Sequence, residues 1–145
     1  MNIRGLQANR EELDMLFSNS DPTVICLQET FLKENKTINF KHYSSYHRHA
    51  SEANGIVHGG SSVLVKPSTP HRQIKLQTGL QAIAIHATLG KTITVCSIYL
   101  PLQWFLILQI LRISLLNSLP QSYCLGTLTP TVPYGVAVKL ISEEK

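Results

Sequence analysis

Charge and cysteine are the two things this chain has little of. Only 15% of its 145 residues are Asp, Glu, Lys or Arg, against a typical ~25%, and the shortfall is uneven. Residues 102–119 carry a single formal charge, Arg112, whereas residues 10–41 hold most of the acids. Such a break, in a chain long enough for one ordinary domain and not two, points to two segments of different origin. The three cysteines, Cys26, Cys96 and Cys124, are odd in number and lack zinc-type spacing, which argues against a disulfide framework and a structural zinc site. Cys26 and Cys96 stand in strand-like apolar runs, where a thiol acts as a small hydrophobe, and an intracellular, reducing compartment is expected, nuclear or cytoplasmic. No apolar run follows Met1, so no signal peptide is expected. A Walker-type loop and a nucleophile elbow are also lacking.

What is present begins with a modest excess of positive charge, +4 from thirteen Lys and Arg against nine Asp and Glu. It suits a nucleic-acid partner and equally an ordinary cytosolic protein. Met1 to Leu6 reads as the end of a strand entering a loop. Asn9-Arg10-Glu11-Glu12 has the form of a capping box with Asn9 as N-cap. Leu13, Leu16 and Phe17 then recur at helical spacing over two to three turns, ended by the break between Ser18 and Pro22. Thr23-Val24-Ile25-Cys26-Leu27 is β-branched and apolar, a short buried strand that delivers Gln28 and Glu29 at its C-terminal end.

Residues 31–40 read as a polar loop and Tyr43 to Tyr46 as an edge strand. Gly59-Gly60 precedes a strand over Ser61 to Lys66. Gln81 to Ala87 and Thr92 to Tyr99 form a hairpin through Leu89-Gly90-Lys91. A strand, a helix, a strand and then hairpins point to an α/β sandwich. Residues 104–119 are apolar and close to the lower limit of ~17 residues for a membrane span, but Arg112 inside them is costly there; a membrane-anchored protein is the weakest of the readings considered. Thr127 to Val138 has no clear period.

An acid at the end of a buried strand is well placed to hold a metal ion, because the strand fixes the backbone and the loop rim admits substrate. Mg2+ needs only one or two protein carboxylates. From position alone, the commoner reading of Glu29 is an exposed strand-end acid. Four motifs in order change that balance: Asn2-x-Arg4-Gly5-Leu6; Val24-Ile25-Cys26-Leu27-Gln28-Glu29-Thr30; Gly59-Gly60-Ser61-Ser62-Val63-Leu64-Val65; and Ser97-Ile98-Tyr99-Leu100-Pro101. Together they resemble the endonuclease domain of non-LTR retrotransposon polyproteins of the jockey group, in which an endonuclease/exonuclease/phosphatase domain is joined to an RNA-directed DNA polymerase. The resemblance spans residues 1–101.

The resemblance implies an incomplete four-layer α/β sandwich of the DNase I-like type, with Glu29 as the metal-binding glutamate and Mg2+ as the cofactor. It implies Asn2 as the asparagine that hydrogen-bonds near metal and phosphate, and Tyr99 as the tyrosine facing the scissile phosphate. The reaction would be hydrolysis of a DNA phosphodiester, with DNA as the partner and no protein partner implied. Read without the resemblance, Asn2 is as readily a loop-capping residue and Tyr99 a packed aromatic. His47-x-His49 could bind a metal, although a solvated surface role is the commoner one. His86 reads as a sheet-face residue, and Lys33, Lys36, Lys41, Arg48 and Lys66 as solvated cations that could contact phosphates.

The resemblance also exposes a gap. The family carries a Gly-Asp-Phe-Asn-Ala-His motif and a later Asp-His pair, and this chain has neither. Where the first belongs, Cys124 to Thr131 reads Cys-Leu-Gly-Thr-Leu-Thr-Pro-Thr. Under permitted codons those bases, regrouped one position earlier, encode Leu-Leu-Gly-Asp-Phe-Asn-Ala-His. A frameshift near Pro101-Leu102 is therefore expected, with residues 102–145 an out-of-frame tail. The chain would then be a catalytically dead fragment, its incomplete sheets leaving apolar faces uncovered. The alternative from another functional class is a non-enzymatic relic or binding module.

Overall fold

The computed structural model describes residues 1–100, 123–125 and 136–143. They form one helix, α1 (Arg10–Ser20), and ten strands: β1 (Val24–Gln28), β2 (Ser44–Arg48), β3 (Ser51–Ala53), β4 (Ile56–His58), β5 (Ser61–Val65), β6 (His71–Ile74), β7 (Gln81–Leu89), β8 (Lys91–Leu100), β9 (Tyr123–Leu125) and β10 (Val136–Glu143). Three strands make one sheet in the order β1-β5-β2, five make a second in the order β6-β7-β8-β10-β9, and β3 with β4 forms a separate hairpin. All strand pairings are antiparallel. The described residues are thus mostly β-sheet with a single helix, a more β-rich arrangement than the expected α/β alternation, and no sheet among them closes into a barrel.

Side-chain alternation explains the layering. A strand sends successive side chains to opposite faces, and β5 has all five residues buried because both of its faces are covered. Leu64 joins Ile25 and Leu27 of β1 in a cluster with Leu13 and Phe17 of α1, Phe40 and Leu32. Val63 and Val65 point the other way, toward Ile83, Ile85 and Ala87 of β7 and Val95 of β8, with Val24, Cys26 and Tyr46 packed at the edge. The smaller sheet is therefore the middle layer between α1 and the larger sheet. The inner faces of the two sheets cover one another. The outer face of the larger sheet gathers Ala82, Ala84 and Cys96, with Ile74 and Ile98 beside them. Burying each leucine or valine in these clusters stabilises the fold by about 1.5–3 kcal/mol.

Local structure departs from expectation at instructive places. Asn9 occupies the N-cap of α1 but makes no side-chain cap bond. Its Nδ2 donates instead to the carbonyls of Ile3 at 2.8 Å and Gly5 at 2.9 Å. The capping box does not form because this asparagine ties down the N-terminal segment. The helix runs to Ser20 and stops at Asp21, left-handed at φ 43°; Leu13 and Phe17 are buried while Leu16 is largely exposed. The hairpin β3–β4 turns through Asn54-Gly55, both at positive φ (52° and 75°), as a type I′ turn requires.

The expected boundary after residue 101 opens onto residues outside the described set, as does the apolar stretch 104–119. In the proposed tail, β9 and β10 are described. The backbone of β10 pairs with β8 from Val136↔Leu100 to Glu143↔Ile93. Among the described residues no helix is long and apolar enough to cross a membrane.

Candidate functional site

The site is built where the middle sheet ends. The N-terminal segment runs alongside the end of β1 in parallel, with an isolated bridge between Asn2 and Gln28. Its amides continue the pairing: Ile3 N–H donates to Gln28 O at 3.1 Å, Gly5 N–H to Glu29 O and Leu6 N–H to Thr30 O, both at 2.8 Å. From the other side, the carbonyls of Gly60 and Gly59 accept from the amides of Thr30 (3.3 Å) and Phe31 (3.0 Å). Glu29 is thereby held between two backbones. It is 3% exposed, which replaces the exposed strand-end acid that position alone suggested.

The flanking residues explain why the motif has these letters. Gln28 is buried, and its Nε2 donates to Ser97 Oγ at 2.9 Å; that hydroxyl donates in turn to Leu27 O at 3.0 Å. A buried amide must find partners, because leaving it unpaired costs about 1–3 kcal/mol. Gln28 and Ser97 therefore pin β1 to β8 and set Glu29 relative to Tyr99, two residues beyond Ser97. Gly59 and Gly60 are required at their positions. Both have positive φ (74° and 84°), and a Cβ on Gly59 would overlap Gln81 Oε1 and the Tyr99 ring while one on Gly60 would overlap Thr30 Oγ1.

These constraints open a cavity of about 400 Å3 lined by Arg4, Glu29, Phe31, His58 and Tyr99 among others. Glu29 and Tyr99 thus share one cavity. Asn2 does not line it; the Asn2 side chain accepts from the backbone N–H of Arg4 at 3.3 Å. Among the described residues, three of the five non-glycine residues with positive φ line this cavity: Arg4 (46°), Glu29 (54°) and Phe31 (53°). Each such conformation costs on the order of 1–3 kcal/mol, and strain of this kind gathers at functional sites.

The electrostatics of the cavity favour a cation. Glu29 Oε1 is buried with no hydrogen-bond partner, and an unpartnered buried carboxylate oxygen is costly unless a positive charge or donor meets it. Burial raises the Tyr99 phenol above its ordinary pKa, and the Glu29 carboxylate raises it further, so the hydroxyl stays protonated and able to donate. No cluster of three or more His, Cys, Asp or Glu that could hold a metal occurs among the described residues.

The remaining candidates fall elsewhere. His47, Arg48, His49 and Lys33 line a larger cavity of about 580 Å3 that is separate from Glu29 and Tyr99. Both ring nitrogens of His47 are engaged: Nε2 with Ile38 O at 3.0 Å, Nδ1 with Ser62 Oγ at 2.7 Å. The carbonyl can only accept, so Nε2 donates and Nδ1 accepts from the serine. His47 is consequently a structural residue rather than half of a metal pair, and burial holds its pKa below the ordinary value. His86 lies on the sheet face, with Nδ1 3.2 Å from Thr94 Oγ1. Lys33 pairs with Glu52 at 2.9 Å, Lys66 with Asp21, and Lys36 reaches Gln7 Oε1 at 3.3 Å; Lys41 is exposed.

Sequence reasoning missed Arg4, Phe31 and His58 as cavity walls and Gln28, Ser97 and Gln81 as supports. Gln81 accepts from Gly60 N–H and donates to Ser51 Oγ, bridging the site to the hairpin. The signals that could have found some of them were there: a glycine pair ahead of a buried strand, and the Asn54-Gly55 turn that places His58 beside the site.

No model of a known protein family matches the chain. Over 104 residues it is 33% identical to the RNA-directed DNA polymerase from mobile element jockey of Drosophila melanogaster, an alignment covering 69% of this chain and 11% of that protein. The chain spans about a tenth of the length of this curated relative. That similarity relates the chain to a retrotransposon polyprotein.

Proposed function

We propose that the chain carries the first part of an endonuclease/exonuclease/phosphatase domain of a jockey-like retrotransposon, whose ancestral activity is metal-dependent hydrolysis of DNA phosphodiesters. The observation that carries this reading is the buried, unpartnered Oε1 of Glu29 in a cavity shared with Tyr99. The similarity to the jockey protein supports the retrotransposon origin. The order helix, sheet, sheet, with an apolar outer face on the second sheet, supports an incomplete DNase I-like sandwich.

In this reading Glu29 holds Mg2+ from the end of β1. Bound there, the ion supplies charge neutralisation at a phosphoryl oxygen. Tyr99, kept protonated by burial and by Glu29, would donate to a phosphate oxygen in the same cavity. Asn2, on the N-terminal segment, bonds the Arg4 amide beside the cavity, and the pinned Gln28–Ser97 pair keeps the walls from shifting apart.

The chain by itself is inactive in this proposal. It has no Gly-Asp-Phe-Asn-Ala-His motif and no later Asp-His pair, and groups that act as a catalytic unit fail together. The out-of-frame origin of residues 102–145 accounts for the loss. Manganese binding followed by electron paramagnetic resonance tests the site: the parent chain is expected to bind and Glu29→Gln to bind far more weakly. Equal binding by both would sink the metal assignment. Nicking of supercoiled DNA by the purified chain with Mg2+, lost in Glu29→Ala, would overturn its inactivity. The coding DNA decides the frameshift, which fails if the codons for Gly126 to Thr131 do not read Gly-Asp-Phe-Asn-Ala-His in the adjacent frame.

A further inference from the structure

Arg4 sits on the wall of the Glu29 cavity with φ 46°, a conformation that a long side chain adopts only where its surroundings impose it. Two contacts impose it here. The Arg4 amide donates to Asn2 Oδ1 at 3.3 Å, and the next amide, of Gly5, donates to Glu29 O at 2.8 Å. Glycine at position 4 would take this turn without strain, so the backbone does not require an arginine there. The side chain is exposed, and its guanidinium makes no ion pair or hydrogen bond among the described residues. It does not pair with Glu29 although both line the cavity. A cation and a buried carboxylate oxygen, each without a partner, therefore share one space.

From this arrangement we infer that Arg4 is a phosphate-binding residue, its guanidinium taking the non-bridging oxygens of a nucleic-acid phosphodiester beside Glu29, and that Asn2 is the positioning residue that holds its turn. The planar fork of a guanidinium matches two phosphate oxygens at once. Asn2 lies outside the cavity lining and bonds the Arg4 amide, so its action on the phosphate runs through Arg4. This deepens the phosphodiesterase reading and rests on it for the identity of the ligand.

The test separates charge from fold. Binding of the full chain to a fluorescein-labelled DNA duplex is followed by anisotropy in EDTA, over a range of salt. Arg4→Gly is expected to raise the melting temperature, because the strain is relieved, and to weaken DNA binding roughly five- to tenfold. It should also make the dependence of log K on log salt shallower by about 0.9, the share of one phosphate contact. Arg4→Lys is expected to keep the salt slope and lose part of the affinity, and Asn2→Ala to weaken binding less than Arg4→Gly. A stable Arg4→Gly chain that binds DNA with the parent affinity and slope overturns the assignment, as does a parent chain that does not bind DNA. Glu29→Gln is expected to lose manganese while Arg4→Gly retains it. Should Glu29→Gln keep its manganese while Arg4→Gly loses DNA, the phosphodiesterase reading fails and the phosphate contact stands.

Discussion

Replacing Gly59 by alanine puts a methyl group where Gln81 Oε1 and the Tyr99 ring already lie. Two costs add. At φ 74° the new Cβ meets the left-handed penalty, about 1–2 kcal/mol. The overlap with a ring that is 7% exposed adds about 1–3 kcal/mol of overpacking, because a buried ring cannot swing aside as an exposed side chain would. The total is roughly 2–5 kcal/mol. Gly55 supplies the control: its φ is 75°, and a Cβ there meets nothing within 4 Å, so Gly55→Ala carries only the first cost. Urea denaturation followed by far-UV circular dichroism measures both. Gly59→Ala is expected to lose more stability than Gly55→Ala by the packing share. Equal losses in the two variants would refute the packing of Tyr99 over Gly59 and with it the geometry of the cavity.

Three further outcomes are expected. Ser97→Ala leaves the buried Gln28 amide without its acceptor and should cost about 1–3 kcal/mol, whereas Ser97→Thr, which keeps the hydroxyl, should cost less; denaturation midpoints decide. His47 has its pKa lowered by burial from 6.5, so below that value the unfolded chain takes up a proton that the folded chain resists. Its contribution to stability is therefore complete above about pH 6.5 and lost as pH falls through the folded pKa, and His47→Gln should flatten that part of a stability-versus-pH curve. Burial, with Cys26 nearby, pushes the Cys96 thiol up to about 11. Iodoacetamide at pH 8 should leave Cys96 unmodified in the native chain and modify it once urea unfolds it, because the thiolate is the reacting form; peptide mass mapping reads the outcome.

Much of the framework was legible in the residues because local pattern and tertiary packing agree. Val24 to Leu27, Ser61 to Val65 and the two strands flanking Gly90 are β-branched or apolar runs, and each became a strand. Leu13 and Phe17, at helical spacing, face the core. Less legible were β3 and β6, which are short and polar, and β4, which is only three residues long, so their pairing rests on a turn and on neighbours rather than on hydrophobic period. The capping box failed for a related reason. Asn9 has the right spacing to Glu12, but the carbonyls of Ile3 and Gly5 compete for its amide, and a one-dimensional pattern does not contain that competition.

By itself, the sequence determined that Glu29 follows a buried strand, that the glycine pair 59–60 precedes another, and that residues resembling a retrotransposon polyprotein stand in order up to Pro101. Those are properties of neighbours along the chain, set by side-chain type and spacing. Only the tertiary structure decided that Glu29 is buried with an unpartnered oxygen, that Tyr99 shares its cavity, and that Arg4 rather than Asn2 lines the wall. The reason is that these facts depend on which backbone lies across from which. Met1 to Leu6 beside β1, and β8 pinned to it through Gln28 and Ser97, join positions far apart in sequence. Burial, strain and an unpaired charge exist only once those segments have met.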